Sequence, residues 1–196
     1  MSNGSTDQTE RNARDAGATV LTENRRGYGW ACLRGIRYAA ARDPDIIVFL
    51  DGDYSDHPDE MPVVVAPILE DRADLVIGSR LLGQREPGAM LPQAIIGNRV
   101  ACTLMRLLWG AGYTDLGPFR AVRADALARM DMEDKTFGWT VEMQIKALRL
   151  GLRSVEVPVS YRKRVGVSKV TGTVSGTLKA SYRILFTIAR HALKTA

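Results

Sequence analysis

The sequence predicts an α/β domain with a mainly parallel sheet flanked by helices, and three observations carry that expectation. Strand-like apolar runs alternate with helix-length amphipathic segments along most of the 196 residues. One run, Ile46-Ile47-Val48-Phe49-Leu50, is apolar throughout, as strands buried on both faces are. It ends at once in two carboxylates, Asp51 and Asp53, and ligand sites of open α/β sheets lie at the carboxyl ends of their strands.

The elements follow in order. Thr6 to Ala16 reads as a polar helix, Thr19-Val20-Leu21 as a short strand and Gly29 to Ala41 as a helix. After the Ile46–Leu50 strand, a helix is expected from about Pro58 to Asp71, then the strand Asp74-Leu75-Val76-Ile77-Gly78. Leu81 to Gln93 holds Gly83, Pro87, Gly88 and Pro92, a loop long enough to be functional. Ala94 to Trp109 has an amphipathic helical period, Thr114 to Val122 looks extended, and Trp139 to Leu150 looks helical. Val155 to Tyr161 reads as a strand at a sheet edge, because Pro158 cannot donate to a ladder. No internal repeat and no low-complexity linker interrupts the chain.

Composition narrows the classes. The chain is 45% apolar and 25% charged, ordinary globular usage for one domain. A net charge of +5 is modest for a nucleic-acid binder, and none is expected as a partner. The basic residues cluster, with Arg25, Arg26, Arg34, Arg37 and Arg42 in one segment and Arg149, Arg153, Arg162, Lys163, Arg164 and Lys169 in another. Such clusters suit phosphates or an anionic membrane surface. Cys32 and Cys102 both lie in helical apolar patterns and read as core residues in a reduced compartment, and no apolar run is long enough to span a bilayer. A cytoplasmic location is expected.

Side chains alternate along an extended chain, so Asp51 and Asp53 point the same way. Two hard oxygen donors there suit Mg²⁺ or Mn²⁺ shared with substrate phosphates. An Asp-Gly turn with Asp56 or Asp59 capping the next helix is the structural alternative. Arg80 ends the next strand on the same sheet edge, where a guanidinium serves as an anion ligand. Arg99 and Thr103 lie one helical turn apart, and Asp115 and Arg120 flank a Gly-Pro turn that either projects both toward the site or lets them pair with each other. His57 and His191 are the only histidines and neither accompanies a plausible nucleophile, so Ser/His/Asp catalysis has no support. The amino terminus opens in mid-motif: a Gly-Ser turn capping a helix normally follows a strand. A first strand is therefore expected to be missing.

Six motifs occur in the order seen in family 2 glycosyltransferases: Asn3-Gly4-Ser5-Thr6-Asp7, Arg26-Gly27-Tyr28-Gly29, Asp51-Gly52-Asp53, Gly78-Ser79-Arg80, Asp115-Leu116-Gly117-Pro118-Phe119-Arg120 and Arg164-Val165-Gly166-Val167-Ser168-Lys169. The chain resembles most the branch that includes dolichol-phosphate mannosyltransferases and polyprenyl-phosphate glycosyltransferases. That resemblance implies an N-terminally truncated GT-A-type fold and an inverting, metal-dependent transfer from a UDP- or GDP-linked hexose to a polyprenyl phosphate. It implies nucleotide contacts from Asn3, Gly4, Ser5, Asp7, Arg26, Gly27 and Gly29, and a metal at Asp51 and Asp53. Arg80, Arg99, Thr103, Arg120, Arg164 and Lys169 would hold the acceptor phosphate, with Asp51, Asp53, Arg80, Arg99 and Asp115 forming the catalytic set. The alternatives are a family 2 transferase with a saccharide acceptor, or a catalytically impaired nucleotide-binding domain.

Residues 1–173 are expected to form the catalytic domain and 174–196 a basic amphipathic helix. If Val174 to Leu193 is helical, Lys179, Arg183, Arg190 and Lys194 share one side, with Leu178, Tyr182, Leu185, Ala189, Ala192 and Leu193 on the other. That apolar side would lie either in the interface at the inner membrane face or against the domain's own sheet. A sheet edge left open by a missing strand invites a homodimer.

Overall fold

The computed structural model describes residues 1–166 and 173–193; Lys169 and Lys194 lie outside them. The helices are α1 (Thr9–Asp15), α2 (Tyr28–Ala40), α3 (Met61–Leu69), α4 (Pro92–Trp109), α5 (Ala124–Met130), α6 (Trp139–Arg149) and α7 (Val174–Leu193). The strands are β1 (Ile46–Phe49), β2 (Leu75–Ser79), β3 (Arg120–Arg123) and β4 (Ser154–Pro158). Local chemistry sets several of these boundaries. Pro58 opens a short 3-10 turn before α3, Pro92 occupies the first turn of α4, where its missing N–H costs nothing, and Gly110 ends α4 in the left-handed conformation at φ 69°.

The sheet order is β1-β3-β2-β4. It is mixed: β3 runs antiparallel to both neighbours, while β2 and β4 pair in parallel. β1, β2 and β4 therefore all point one way, and only the inserted β3 departs from the parallel arrangement anticipated. Two further expectations are corrected. Thr19–Leu21 forms no strand; Thr22 makes a single parallel bridge with Ser2, whose N–H donates to Leu21 at 2.8 Å. The extended Thr114–Val122 segment contributes strand only from Arg120, and α5 follows directly.

Side-chain alternation on the sheet divides the core. Val76 and Ala121 face one way and pack with Val64 and Ile68 of α3, each such aliphatic burial being worth about 1.5–3 kcal/mol. Leu75, Ile77 and Val122 face the other way, into a larger core with Trp139, Met143, Ile145, Met105 and Ile188. The sheet is thus covered on both faces. β1, expected to be buried on both faces, is instead half-buried along its length, because it takes the edge of the sheet.

α7 packs on α4 and α6. Its inward face carries Gly176, Thr187, Ile188 and His191, all buried, whereas Leu178, Tyr182, Leu185, Phe186 and Leu193 are exposed. The apolar side identified from sequence therefore does not pack on the sheet. Ion pairs pin the helix instead: Arg183 Nε donates to Asp134 Oδ2 at 2.9 Å, and Arg190 pairs with Glu133 at 3.3 Å. The same short segment meets α2, where the Trp30 N–H donates to the Lys135 carbonyl at 3.2 Å. A Cβ at Gly29 would overlap the Asp134 carbonyl oxygen, so only glycine permits this approach.

Candidate active site

The chain leaves β1 at Phe49 and turns through Asp51, Gly52 and Asp53. Tyr54 adopts φ 72°, a left-handed conformation costing about 1–2 kcal/mol for a non-glycine residue. Neighbouring contacts hold it there. The Asp53 carboxylate accepts the Ser55 N–H at 3.0 Å and the Ser55 hydroxyl, and Asp56 Oδ2 accepts the Asp51 N–H at 3.1 Å. The segment after β4 folds over the loop: the Arg162 N–H donates to Ser55, its guanidinium stacks 3.4 Å from the Tyr54 ring centroid, and the Val165 N–H donates to the Asp53 carbonyl at 2.9 Å. This delivers Arg164 to Asp53 Oδ2 at 2.7 Å.

Three carboxylates crowd this loop. Burial, then the charge of Asp53, raises the Asp51 carboxyl above its ordinary range, with Arg164 and Arg80 pulling the other way. Asp56 is pushed up to about 7, chiefly by burial, and its Oδ1 is buried with no hydrogen-bond partner. Such an excess of negative charge fits a divalent cation, which favours the ionised form of the acids it touches. Asp51 and Asp53 are the residues that would hold it, with Asp56 orienting Asp51 from behind.

At the end of β2, Arg80 makes a forked ion pair with Asp115: Nε to Oδ2 at 2.8 Å and Nη2 to Oδ1 at 2.7 Å. The Arg80 N–H donates to the same carboxylate at 2.8 Å. Burial alone would raise the Asp115 carboxyl, but the Arg80 charge and these bonds hold it below its usual range. The turn bearing Asp115 is itself fixed by Glu156, whose carboxylate accepts the Thr114 and Asp115 N–H groups, and by Asn98, which bonds Thr114 and Leu116.

A cavity of about 490 Å³ opens beside this cluster. Asp51, Arg80, Tyr161, Arg164 and Tyr28 line one part of it; Met90, Leu91, Ala94, Phe137, Ala180 and Ile184 line another. Its wall is therefore charged at the carboxyl end of the sheet and apolar between α4 and α7.

The structure brings together Asp51, Asp53, Arg80 and Arg164, but not every residue anticipated. Asp115 is fully buried and positions Arg80, forming no part of the cavity wall. Its alternative pairing with Arg120 does not occur. Arg120 is buried and donates to the carbonyls of Leu116, Gly117 and Thr140, so it braces the turn from inside and is closed to an acceptor phosphate. Arg99 and Thr103 lie on the exposed side of α4 and do not line the cavity, because the helix turns Ala94, Gly97 and Asn98 toward it. Glu142, in the first turn of α6, is buried and accepts the N–H groups of Glu133 and Asp134, so it too is closed to the cavity. Asn3 does organise the glycine loop: Oδ1 accepts the Gly27 N–H at 3.0 Å and Nδ2 donates to Glu23 and Arg25. Gly4 is left-handed at φ 71°, Ser5 and Arg26 are exposed, and Asp7 accepts the Thr9 N–H at the start of α1. Tyr28, Asp56 and Tyr161 were missed as site residues; Tyr28 alone carried a sequence signal, its place within the glycine loop.

Residues 1–131 match the family model described as glycosyl transferase family 2. The chain belongs to that family. Curated relatives include an undecaprenyl-phosphate mannosyltransferase of Micrococcus luteus, 34% identical over 176 residues, which cover 85% of this chain and 70% of the relative. A polyprenol monophosphomannose synthase of Mycolicibacterium smegmatis is 30% identical over 156 residues, 75% of this chain and 57% of that protein. Among solved structures, glucosyl-3-phosphoglycerate synthase of Mycobacterium tuberculosis in complex with Mn²⁺, UDP-glucose and phosphoglyceric acid superimposes with a TM-score of 0.75 at 24% identity. That likeness concerns the fold; it covers 97% of this chain and 66% of the synthase. This family 2 glycosyltransferase thus shares the GT-A architecture, and its Asp51 and Asp53 follow the carboxyl end of β1, the edge where open α/β sheets in general bind ligands.

Proposed function

We propose that this glycosyltransferase moves a hexose from a UDP- or GDP-sugar to a polyprenyl phosphate at the inner face of the membrane. The carrying observation is the two-part cavity wall, with cations and carboxylates at one end and apolar side chains from α4 and α7 at the other. A lipid monophosphate has the matching character. The names of the Micrococcus and Mycolicibacterium relatives support the same acceptor class.

The chemistry needs little from the side chains beyond placement. A phosphate monoester with a second pKa near ~6 is largely ionised at neutral pH, so its oxygen can attack the sugar C1 without a strong base. The new C1–O bond forms as the bond from C1 to the diphosphate breaks, the electron pair leaves with the nucleoside diphosphate, and C1 inverts. Arg80, held rigid by Asp115, and Arg164 orient the anionic groups, and Tyr161 and Tyr28 shape the wall beside them. Mg²⁺ or Mn²⁺ at Asp51 and Asp53 would supply charge neutralisation for the departing diphosphate. Arg164 would then leave Asp53 for a phosphate. The open edge of β1 makes a homodimer the oligomer we expect, read by light scattering.

The test supplies radiolabelled GDP-mannose or UDP-glucose with undecaprenyl phosphate, and separately with simple sugars, with and without Mn²⁺. Label extracted into organic solvent only when lipid phosphate and metal are both present is the expected result. Label passing only to free sugars would overturn the reading.

A further inference from the structure

The acceptor reading leaves unexplained why two adjacent helices expose so much apolar surface. On α4, Ile96, Val100 and Leu107 are 62%, 45% and 76% exposed. At 100° per residue they fall within about 40° of one another, with Thr103 directly beside them and Arg99 and Arg106 further round the same side, about 60–120° from the stripe. On α7, Leu178, Tyr182, Leu185, Phe186 and Leu193 form a matching stripe, flanked by Lys179. The helices pack side by side. Large apolar side chains exposed at helical spacing on two packed helices mark an interaction site.

Charge selects the partner. Among the 18 residues of α4 and the 20 of α7 there is no Asp or Glu, in a chain that has 22 of them, whereas both helices carry arginine or lysine. Arg183 and Arg190 are engaged by Asp134 and Glu133, but Arg99, Arg106 and Lys179 make no ion pair among the described residues. Free cations beside apolar stripes, without a single carboxylate, complement an anionic bilayer surface. The apolar part of the cavity lies between the same two helices, so a lipid leaving that surface would meet the site without crossing bulk water.

We propose that the outward faces of α4 and α7 together form the docking surface for an anionic membrane, with Arg99 and Arg106 on lipid headgroups. This deepens the polyprenyl-phosphate reading and rests on it for the purpose of the surface, though binding can be measured without that acceptor.

The experiment is cosedimentation of the full chain with vesicles of phosphatidylcholine alone and of an equal mixture with phosphatidylglycerol, neither containing polyprenyl phosphate. The wild type should partition onto the mixed vesicles and far less onto the neutral ones. In Arg106→Gln/Leu107→Gln, partition should fall about 50-fold, roughly fivefold for the basic group and tenfold for the leucine. Lys179→Gln should cost about fivefold. Both variants should keep their circular dichroism and their turnover on a short-chain polyprenyl phosphate in detergent. An α4 variant that binds mixed vesicles like the wild type would overturn the proposal. So would a wild-type dimer in buffer that the same substitutions dissociate while no vesicle binding is seen, since a second copy would then cover the face. Wild-type vesicle binding combined with no transfer to polyprenyl phosphate would sink the acceptor reading and leave the docking surface standing.

Discussion

Replacing Asp115 by Asn should separate the architectural task of this residue from the chemistry it supports. The carboxylate is wholly buried and receives three hydrogen bonds from Arg80, at 2.8, 2.8 and 2.7 Å, while the guanidinium side chain is only 14% exposed. Asn keeps the size and one acceptor oxygen but removes the charge and half of the fork. Breaking a buried pair on one side costs about 3–5 kcal/mol, because the remaining charge stays desolvated. For a domain of this size about 3 kcal/mol corresponds to a fall in Tm of about 6–12 °C. The pH dependence gives a sharper check. A carboxyl held below its ordinary value contributes stability that is present above that value and lost as pH falls through the native one. The gap between wild type and Asp115→Asn in urea unfolding should therefore be widest near neutrality and narrow below about pH 3.9. Turnover should drop with nucleotide affinity little changed, since Arg80 loses its orientation. A destabilisation under about 1 kcal/mol, or a gap independent of pH, would refute the assignment of Asp115 as the residue that fixes Arg80.

Arg120→Lys should destabilise by about 2–3 kcal/mol, since one ammonium cannot reach the Leu116, Gly117 and Thr140 carbonyls that the planar fork joins; a denaturation curve matching wild type would contradict this. Asp53→Ala should abolish metal-dependent nucleotide binding in calorimetry while circular dichroism stays unchanged, and unaltered affinity would remove Asp53 from the site. Asp56 has its native value raised to about 7, so it favours the fold below its unfolded value and loses that contribution as pH rises toward 7. Asp56→Asn, permanently neutral, should therefore gain stability relative to wild type between pH 4 and 7, and a flat difference in urea midpoints would argue against a protonated Asp56.

What was legible in the sequence was what local pattern determines. An unbroken apolar run gave β1 and hence the position of Asp51 and Asp53, and helical periodicity placed α2, α4, α6 and α7 within a residue or two of their ends. What escaped depends on contacts between distant residues. β3 reads Arg-Ala-Val-Arg and looks half polar, yet Arg120 is buried because carbonyls of the preceding turn and of α6 surround it. Arg80 and Asp115 are 35 positions apart, so their fork was invisible to spacing rules. Arg99 and Thr103 do share a helix face, as their spacing required, but periodicity does not say which face looks inward. On α7 the inside went to Gly176, Thr187, Ile188 and His191, while Leu178, Tyr182, Leu185, Phe186 and Leu193 took the outside. Thr19–Leu21 had strand composition and no neighbouring strand beyond Ser2 to complete a ladder.

The segment at 133–136 bears on how this enzyme could be re-engineered. Its side chains receive α7 through Arg183, Thr187 and Arg190, and its backbone receives the glycine loop through Trp30 and the close approach at Gly29. A chimera that carries a foreign carboxyl-terminal helix must therefore reproduce the bonding partners at 183 and 187, or it disturbs the loop at the other end of the joint. Grafts that keep those two positions leave the joint intact whatever stands at Leu178, Tyr182, Leu185 and Leu193, so the outer side of the helix can be changed to retune its proposed hold on the membrane while its inner side stays a fixed fitting.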